Sequence, residues 1–343
     1  LTFNQNGISN STVALVDGQP IVFGRNNGNW DSKPTASMTV SKKDGRLDNK
    51  GLAVWRTVPH NVLVAQRVEL VPGEPFEVAP EVYKRRLDTV LVEYTLENKD
   101  SRPHQVGLRV LIDTLIGNND GTPFTIPGLQ TLINTNKEFR TANELPDFIQ
   151  ALEESNLSNP GTVAQLNFRI GAKWESPSRV LLTHWPAKTP PNRSDLDVWD
   201  IPLANNDNDS CVVMYWDPRE LAPGAKRVLG FTYGLGRVAS KTGLLGLTVG
   251  GNTTVNGELT VVALVSNPDP GLTATIELPA GLELLPGSNA TQNVPPPDGL
   301  TKDGRPKPSP VTWRVRSTAV GNYSIVVRTS TGTTQTQRVT IKS

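Results

Sequence analysis

Apolar and polar residues alternate with a period of two through most of this chain. Residues 89–97 place β-branched and aromatic side chains at every other position, the pattern of a strand with one buried face. The turn formers of 98–103 follow, and the alternation resumes over 104–112, so the stretch reads as a hairpin. It continues into a polar, glycine-punctuated loop, 113–124, the kind of segment that presents a recognition surface on a rigid sheet. Runs at 11–16 and 19–23 flank Asp17 and Gly18, a two-residue hairpin signal. Further strands are predicted at 36–40, 52–58, 61–70, 76–86, 163–170, 179–185, 211–216 and 225–235.

One stretch breaks this rhythm. Leu145, Phe148, Ile149 and Leu152 carry a helical spacing, and Pro146 sits where a first helical turn tolerates it. The spacing predicts a short amphipathic helix over 145–155, ended by Asn159, Pro160 and Gly161. Gly, Ser and Lys cluster without pattern over 237–246, which predicts a boundary, and the Gly-rich 246–251 reads as a linker or turn. Five more strands are expected at 257–267, 272–278, 311–316, 321–328 and 333–341. About 100 residues with turns every ten or so suit an immunoglobulin-like sandwich. The expectation is an all-β protein of two units, 1–240 and 246–343.

Composition agrees with thin, one-sided sheets. The 343 residues are 36% hydrophobic and contain 29 Gly and 28 Pro, enough turn formers for many short strands. With 34 basic and 33 acidic residues spread evenly, the chain lacks the basic stripe that nucleic-acid binding requires. No apolar run approaches the length of a membrane-spanning helix. The single cysteine, Cys211, excludes an internal disulfide and reads as a small buried hydrophobe within a strand. The chain starts at Leu1 without Met, which leaves room for a preceding segment removed by processing.

Two resemblances sharpen the picture. Val265 to Asn267 after a long strand, the run from Ile276 to Leu285, Val311 to Trp313 and Gly321 to Ser324 resemble bacterial immunoglobulin-like repeats over about 95 residues. That resemblance implies an extracytoplasmic protein with an adhesive, spacer or packing role. Glu93 to Asn98 and the returning His104 to Arg109 resemble the large β-supersandwich of mutarotase-like and carbohydrate-active domains. The hallmark catalytic pair of that family, a His and a Glu facing one sugar pocket, has no assignable positions in this chain.

Candidate chemistry is sparse. No nucleophile elbow, phosphate loop or dinucleotide fingerprint is present. Asp113, Asn118 and Asp120 offer hard oxygen ligands within eight residues, which suits calcium, although the spacing is not that of an EF-hand. The same side chains also serve as turn formers that bond their own backbone. A second acid-rich run spans 205–209. His60, His104 and His184 are not at metal-binding spacing, and each reads first as a structural histidine. His184, beside an indole, and the loop tryptophans Trp30 and Trp199 are candidate ligand contacts, because an exposed indole face stacks on a sugar ring. Trp55 and Trp216 lie in apolar strands and are expected in the core. The leading expectation is a non-catalytic envelope or cell-surface protein making protein contacts or self-assembling, without a required cofactor. The alternative is a carbohydrate-binding or mutarotase-like carbohydrate-active protein.

Overall fold

The computed structural model describes residues 9–23, 35–43, 46–56, 60–73, 76–79, 82–129, 132–186, 193–205, 208–240, 242–300 and 304–343. Among these the chain is almost entirely β, with no α-helix and one short 3-10 turn, Arg193–Leu196. The all-β reading is thus the observed class. None of these residues forms a helix long and apolar enough to cross a membrane.

A six-stranded antiparallel sheet runs, in spatial order, Lys137–Phe139, Arg179–His184, Ser210–Leu221, His104–Thr114, Ser11–Val16 and Gln19–Val22. An eight-stranded sheet runs Phe124–Thr125, Phe148–Leu152, Val163–Asn167, Lys226–Leu235, Leu87–Asn98, Val62–Pro72, Arg46–Arg56 and Thr35–Lys43. Their inner faces share one core that includes Tyr94, Leu96, Leu108, Ile112, Met214, Trp216 and Phe231. Burial of this apolar area, at about 25 cal/mol per Å², is the main force holding the sheets together. The Asp17-Gly18 turn forms as expected: both residues have positive φ, 50° and 82°, and Val16 pairs with Gln19 across it.

The segment 89–112 is not a hairpin. Its two strands do not pair with each other but lie in opposite sheets: Leu87–Asn98 pairs with Val62–Pro72 and Lys226–Leu235, and His104–Thr114 with Ser11–Val16 and Ser210–Leu221. The connection is a corner, pinned by buried Asn98, whose Nδ2 donates to the carbonyls of Arg102 (2.7 Å) and Leu221 (2.8 Å). Alternation marks one buried face per strand, and stacking the two faces across a core satisfies that pattern as well as pairing them side by side would.

The predicted helix over 145–155 is also overturned. Phe148–Leu152 is a fully buried strand. Ile149 and Ala151 face the main core, while Phe148 and Leu152 face the other way, onto Val262 and Leu264. A strand buried on both faces has apolar residues at the same spacings as a helix, so periodicity alone misassigns it.

Residues 246–251 are not a linker. Leu245–Gly251 is an edge strand paired with Glu258–Val265. It belongs to a four-stranded sheet that continues with Ser309–Ser317 and Leu282–Leu284. A second four-stranded sheet, Thr291–Asn293, Thr273–Glu277, Gly321–Thr329 and Thr334–Ile341, faces it over a separate core centred on Trp313, Val261 and Ile325. The glycines allow close approach: a Cβ on Gly250 would lie 2.3 Å from the Phe148 ring, and one on Gly246 would lie 2.4 Å from Val238. Polar contacts cross the same junction, from Thr260 Oγ1 to Asp147 Oδ2 (2.7 Å) and from Gln150 Nε2 to Thr248 Oγ1 (2.7 Å).

Candidate functional site

A cleft of about 270 Å³ opens on the eight-stranded sheet where it meets the C-terminal sheets. Its apolar walls are Val71, Leu91, Ile170 and Leu235; its polar groups include Arg85, Thr89, Gln165, Asn167, Thr232 and Lys342; and Trp174 stands at its side. Alternation puts Gln165 and Asn167 on the same face of Val163–Asn167. Their amides form a chain across three strands: Gln150 Nε2 donates to Gln165 Oε1, Gln165 Nε2 to Asn167 Oδ1 and Asn167 Nδ2 to Thr232 Oγ1, each at 2.9 Å. The chain fixes which way each amide points. Arg85 is held over the rim by donating to the carbonyls of Gly73 (2.7 Å) and Pro72 (2.9 Å).

Trp174 is seated on the sheet by Gly230, where any Cβ would fall 2.5 Å from the indole. Its Nε1 donates to Glu93 Oε2 at 2.8 Å, and the Lys173 ammonium lies 4.9 Å from the ring centroid. Burial favours the neutral form of Glu93, but Lys173 and Trp174, both bonded to its carboxylate, outweigh that and hold its pKa below the usual range. A second hollow of about 310 Å³, lined in part by Arg86, Asp88 and Arg237, adjoins the cleft at Leu235. No carboxylate or imidazole is among the described residues lining the main cleft.

The sequence candidates fall elsewhere. Trp30 lies outside the described residues, and the side chain of Trp55 does too. Trp199 is half-buried, edge-on to Tyr215 at 5.5 Å, and packs on a satellite cluster behind the six-stranded sheet. Arg109, fully buried, secures that covering segment by donating to the carbonyls of Leu196 (2.6 Å) and Val198 (2.5 Å), and burial pushes its pKa down to about 10. Trp216 and Cys211 are buried, as their strand patterns implied.

His104 is a clamp between two turns. Its Nδ1 pairs with Asp17 Oδ2 (2.7 Å) and its Nε2 with Asp100 Oδ2 (3.0 Å), joining the Asp17-Gly18 turn to the corner after Asn98. Burial opposes its charge, yet the two carboxylates outweigh burial and raise its pKa. His60 lies 3.4 Å from Asp17, but both ring nitrogens of His104 are already taken by carboxylates.

Asp113 and Asp120 do come together, and the partner that completes them is Asp209 from the second acid-rich run. One carboxylate oxygen from each lies within 4.8 Å of the other two. Asn118 is exposed, and its backbone N–H donates to Glu153 Oε1 at 3.1 Å. His184 is beside the group, with Nδ1 2.8 Å from the Asp209 carbonyl oxygen. Burial above all pushes Asp113 up to about 7, against a hydrogen bond from Ser9 that lowers it and with a smaller push from the charges of Asp209 and Asp120. Burial and the Asp120 charge raise Asp209 to about 6, partly offset by His184, and burial raises Asp120 as well.

Trp174, Gln165 and Asn167 were not singled out from sequence. The available signal was Gln and Asn alternating on one strand face, which becomes meaningful only when Thr232 and Trp174 are known to share that face.

No family model matches the chain, and no curated protein matches it. Among solved structures it is similar to a protein from Synechocystis sp. PCC 6803 (8% identity, TM-score 0.36), covering 59% of this chain and 65% of that one. It is similar also to a galactose mutarotase-like protein from Lactobacillus casei ATCC 334 (11% identity, TM-score 0.35), covering 65% and 84%. A polysaccharide lyase aligns over 97% of this chain and 39% of its own, with 10% identity and a TM-score of 0.32. The chain thus spans under two thirds of the Synechocystis protein and well under half of the lyase. Likeness at this distance assigns no activity.

Proposed function

We propose that this chain is a non-catalytic carbohydrate-binding protein of the cell envelope, with the glycan seated in the Trp174 cleft. The observation that supports it is the lining: an aromatic side chain, an apolar floor and amides already oriented by the Gln150–Gln165–Asn167–Thr232 chain. Sugar rings offer apolar C–H faces flanked by hydroxyls, so this mixture suits them. Amides fixed in advance lose little side-chain entropy on binding. Arg85 and Lys342, with Arg86 and Arg237 next door, favour an acidic glycan over a neutral one. This reading replaces protein contact as the leading one because its residues recognise a definite chemistry. An extracytoplasmic location is part of the proposal and rests on the resemblance of the C-terminal strands to bacterial immunoglobulin-like repeats.

The test is a screen of the purified chain on neutral and uronic-acid glycans, followed by calorimetric titration of any hit. Trp174→Ala is expected to weaken binding at least about tenfold, equivalent to about 1.4 kcal/mol. Lys342→Gln is expected to weaken acidic glycans selectively. Background signal on every glycan, or a hit indifferent to both Trp174→Ala and Asn167→Ala, would remove the proposal.

A further inference from the structure

Three carboxylates, Asp113 buried and Asp120 and Asp209 half-buried, converge behind the six-stranded sheet. Asp113 is the penultimate residue of the strand His104–Thr114, Asp120 lies in the loop that follows, and Asp209 stands just ahead of the strand Ser210–Leu221. Asp113 is only 2% exposed. The Oδ1 atoms of all three are buried and have no hydrogen-bond partner, and none of the three is in an ion pair among the described residues. Burying even one unsatisfied carboxylate oxygen is costly, and three carboxylates brought together are more so. Three carboxylates brought together, each with one buried oxygen that lacks a hydrogen-bond partner, are arranged for something that is positive and takes oxygen ligands.

We propose that Asp113, Asp120 and Asp209 hold a calcium ion. Two oxygens on one calcium, bonded at 2.3–2.6 Å, are at most about 5 Å apart, and the three carboxylates fall inside that span. An all-oxygen donor set selects a hard cation over zinc or copper. Two of the three ligands are carried on loops, which suits the flexible coordination of calcium better than the strict octahedron of magnesium. The loops are themselves anchored: the Asp120 carbonyl accepts from Ser210 N–H at 2.9 Å, and the Asp209 carbonyl faces His184. The ion ties together the ends of the two central strands of the sheet, so its role is to lock this end of the sandwich. The site is separate from the glycan cleft, and its test is independent of that reading.

The full chain, freed of metal with chelator, is titrated with calcium chloride and with magnesium chloride by calorimetry, and its melting temperature is followed. The expected result is one calcium per chain, a rise of several degrees in Tm at saturation, and at least about tenfold weaker magnesium binding. Asp209→Asn and Asp113→Asn are expected to abolish the heat and the Tm rise; Asp120→Asn replaces Asp113→Asn should the latter not fold. Asn118→Ala, which alters the sequence motif but not the cluster, is expected to bind as the parent does. The proposal is overturned by a parent chain that shows neither heat nor Tm shift with calcium. It is overturned equally by Asn variants that bind normally, or by loss of binding in Asn118→Ala, which would move the site to the exposed loop.

Discussion

Gly250→Ala tests the junction between the eight-stranded sheet and the C-terminal sheets. The added methyl would lie 2.3, 2.5 and 2.8 Å from Cδ1, Cγ and Cε1 of Phe148, against an optimum carbon–carbon separation of about 3.5–4.0 Å. Phe148 is fully buried among Leu152, Leu157, Val163, Val262 and Leu264, so it has nowhere to go without disturbing them. Overpacking of this kind costs about 1–3 kcal/mol. Removing glycine's backbone freedom returns about 0.4–1 kcal/mol, because Gly250 has no positive φ to forbid alanine. The clash wins, and Gly250→Ala should destabilise by about 1–2 kcal/mol. Phe148→Ala alone should cost about 3–5 kcal/mol through the cavity it leaves. In the double variant the new methyl occupies part of that cavity, so the double variant should be more stable than the sum of the singles by at least about 1 kcal/mol. Urea titrations of the four proteins, at one pH and with calcium held constant, measure this. Strict additivity would show that the two groups do not meet and refute the packing described.

Three other outcomes are expected. The His104 clamp should be pH-dependent: the raised histidine pKa contributes stability that is complete below about 6.5 and is lost as pH rises through the folded value, whereas lowered Asp17 contributes above about 3.8. The Tm difference between parent and His104→Gln should therefore be largest near pH 5–6 and shrink by pH 9; a constant difference would count against the clamp. In chelator, the raised folded pKa values of Asp113 and Asp209 mean that the native state holds protons more tightly than the unfolded one, so their contribution to stability falls as pH rises from about 4 through 7. Asp113→Asn should flatten that decline in a Tm-against-pH series, and an unchanged slope would contradict it. Cys211 is fully buried and its thiol pKa is pushed well up, chiefly by burial, so a thiol reagent should react with it only after denaturant is added.

Period-two alternation, turn chemistry and the absence of catalytic signatures were legible in the linear chain, because each depends on neighbours within a few residues. Those local signals were enough for the all-β class, for the Asp17-Gly18 hairpin, for the five C-terminal strands and for Trp216 and Cys211 as core. Alternation says that a strand has a buried face but not which strand covers it, so the two halves of 89–112 were paired in one sheet when they belong to two. Apolar residues on both sides of Phe148–Leu152 mimic a helix until a second layer is seen to cover the far side. The glycines of 246–251 resemble a linker until Phe148 is found against one of them. Asp113 and Asp120 were visible as oxygen donors, but Asp209, nearly ninety residues away, joins them only because Ser210 pairs with Thr114 across the sheet. Strand pairing over such distances depends on how the whole set of faces is buried together. For that reason the tertiary structure alone brought the carboxylates to one point and the amides of Gln165 and Asn167 beside Trp174.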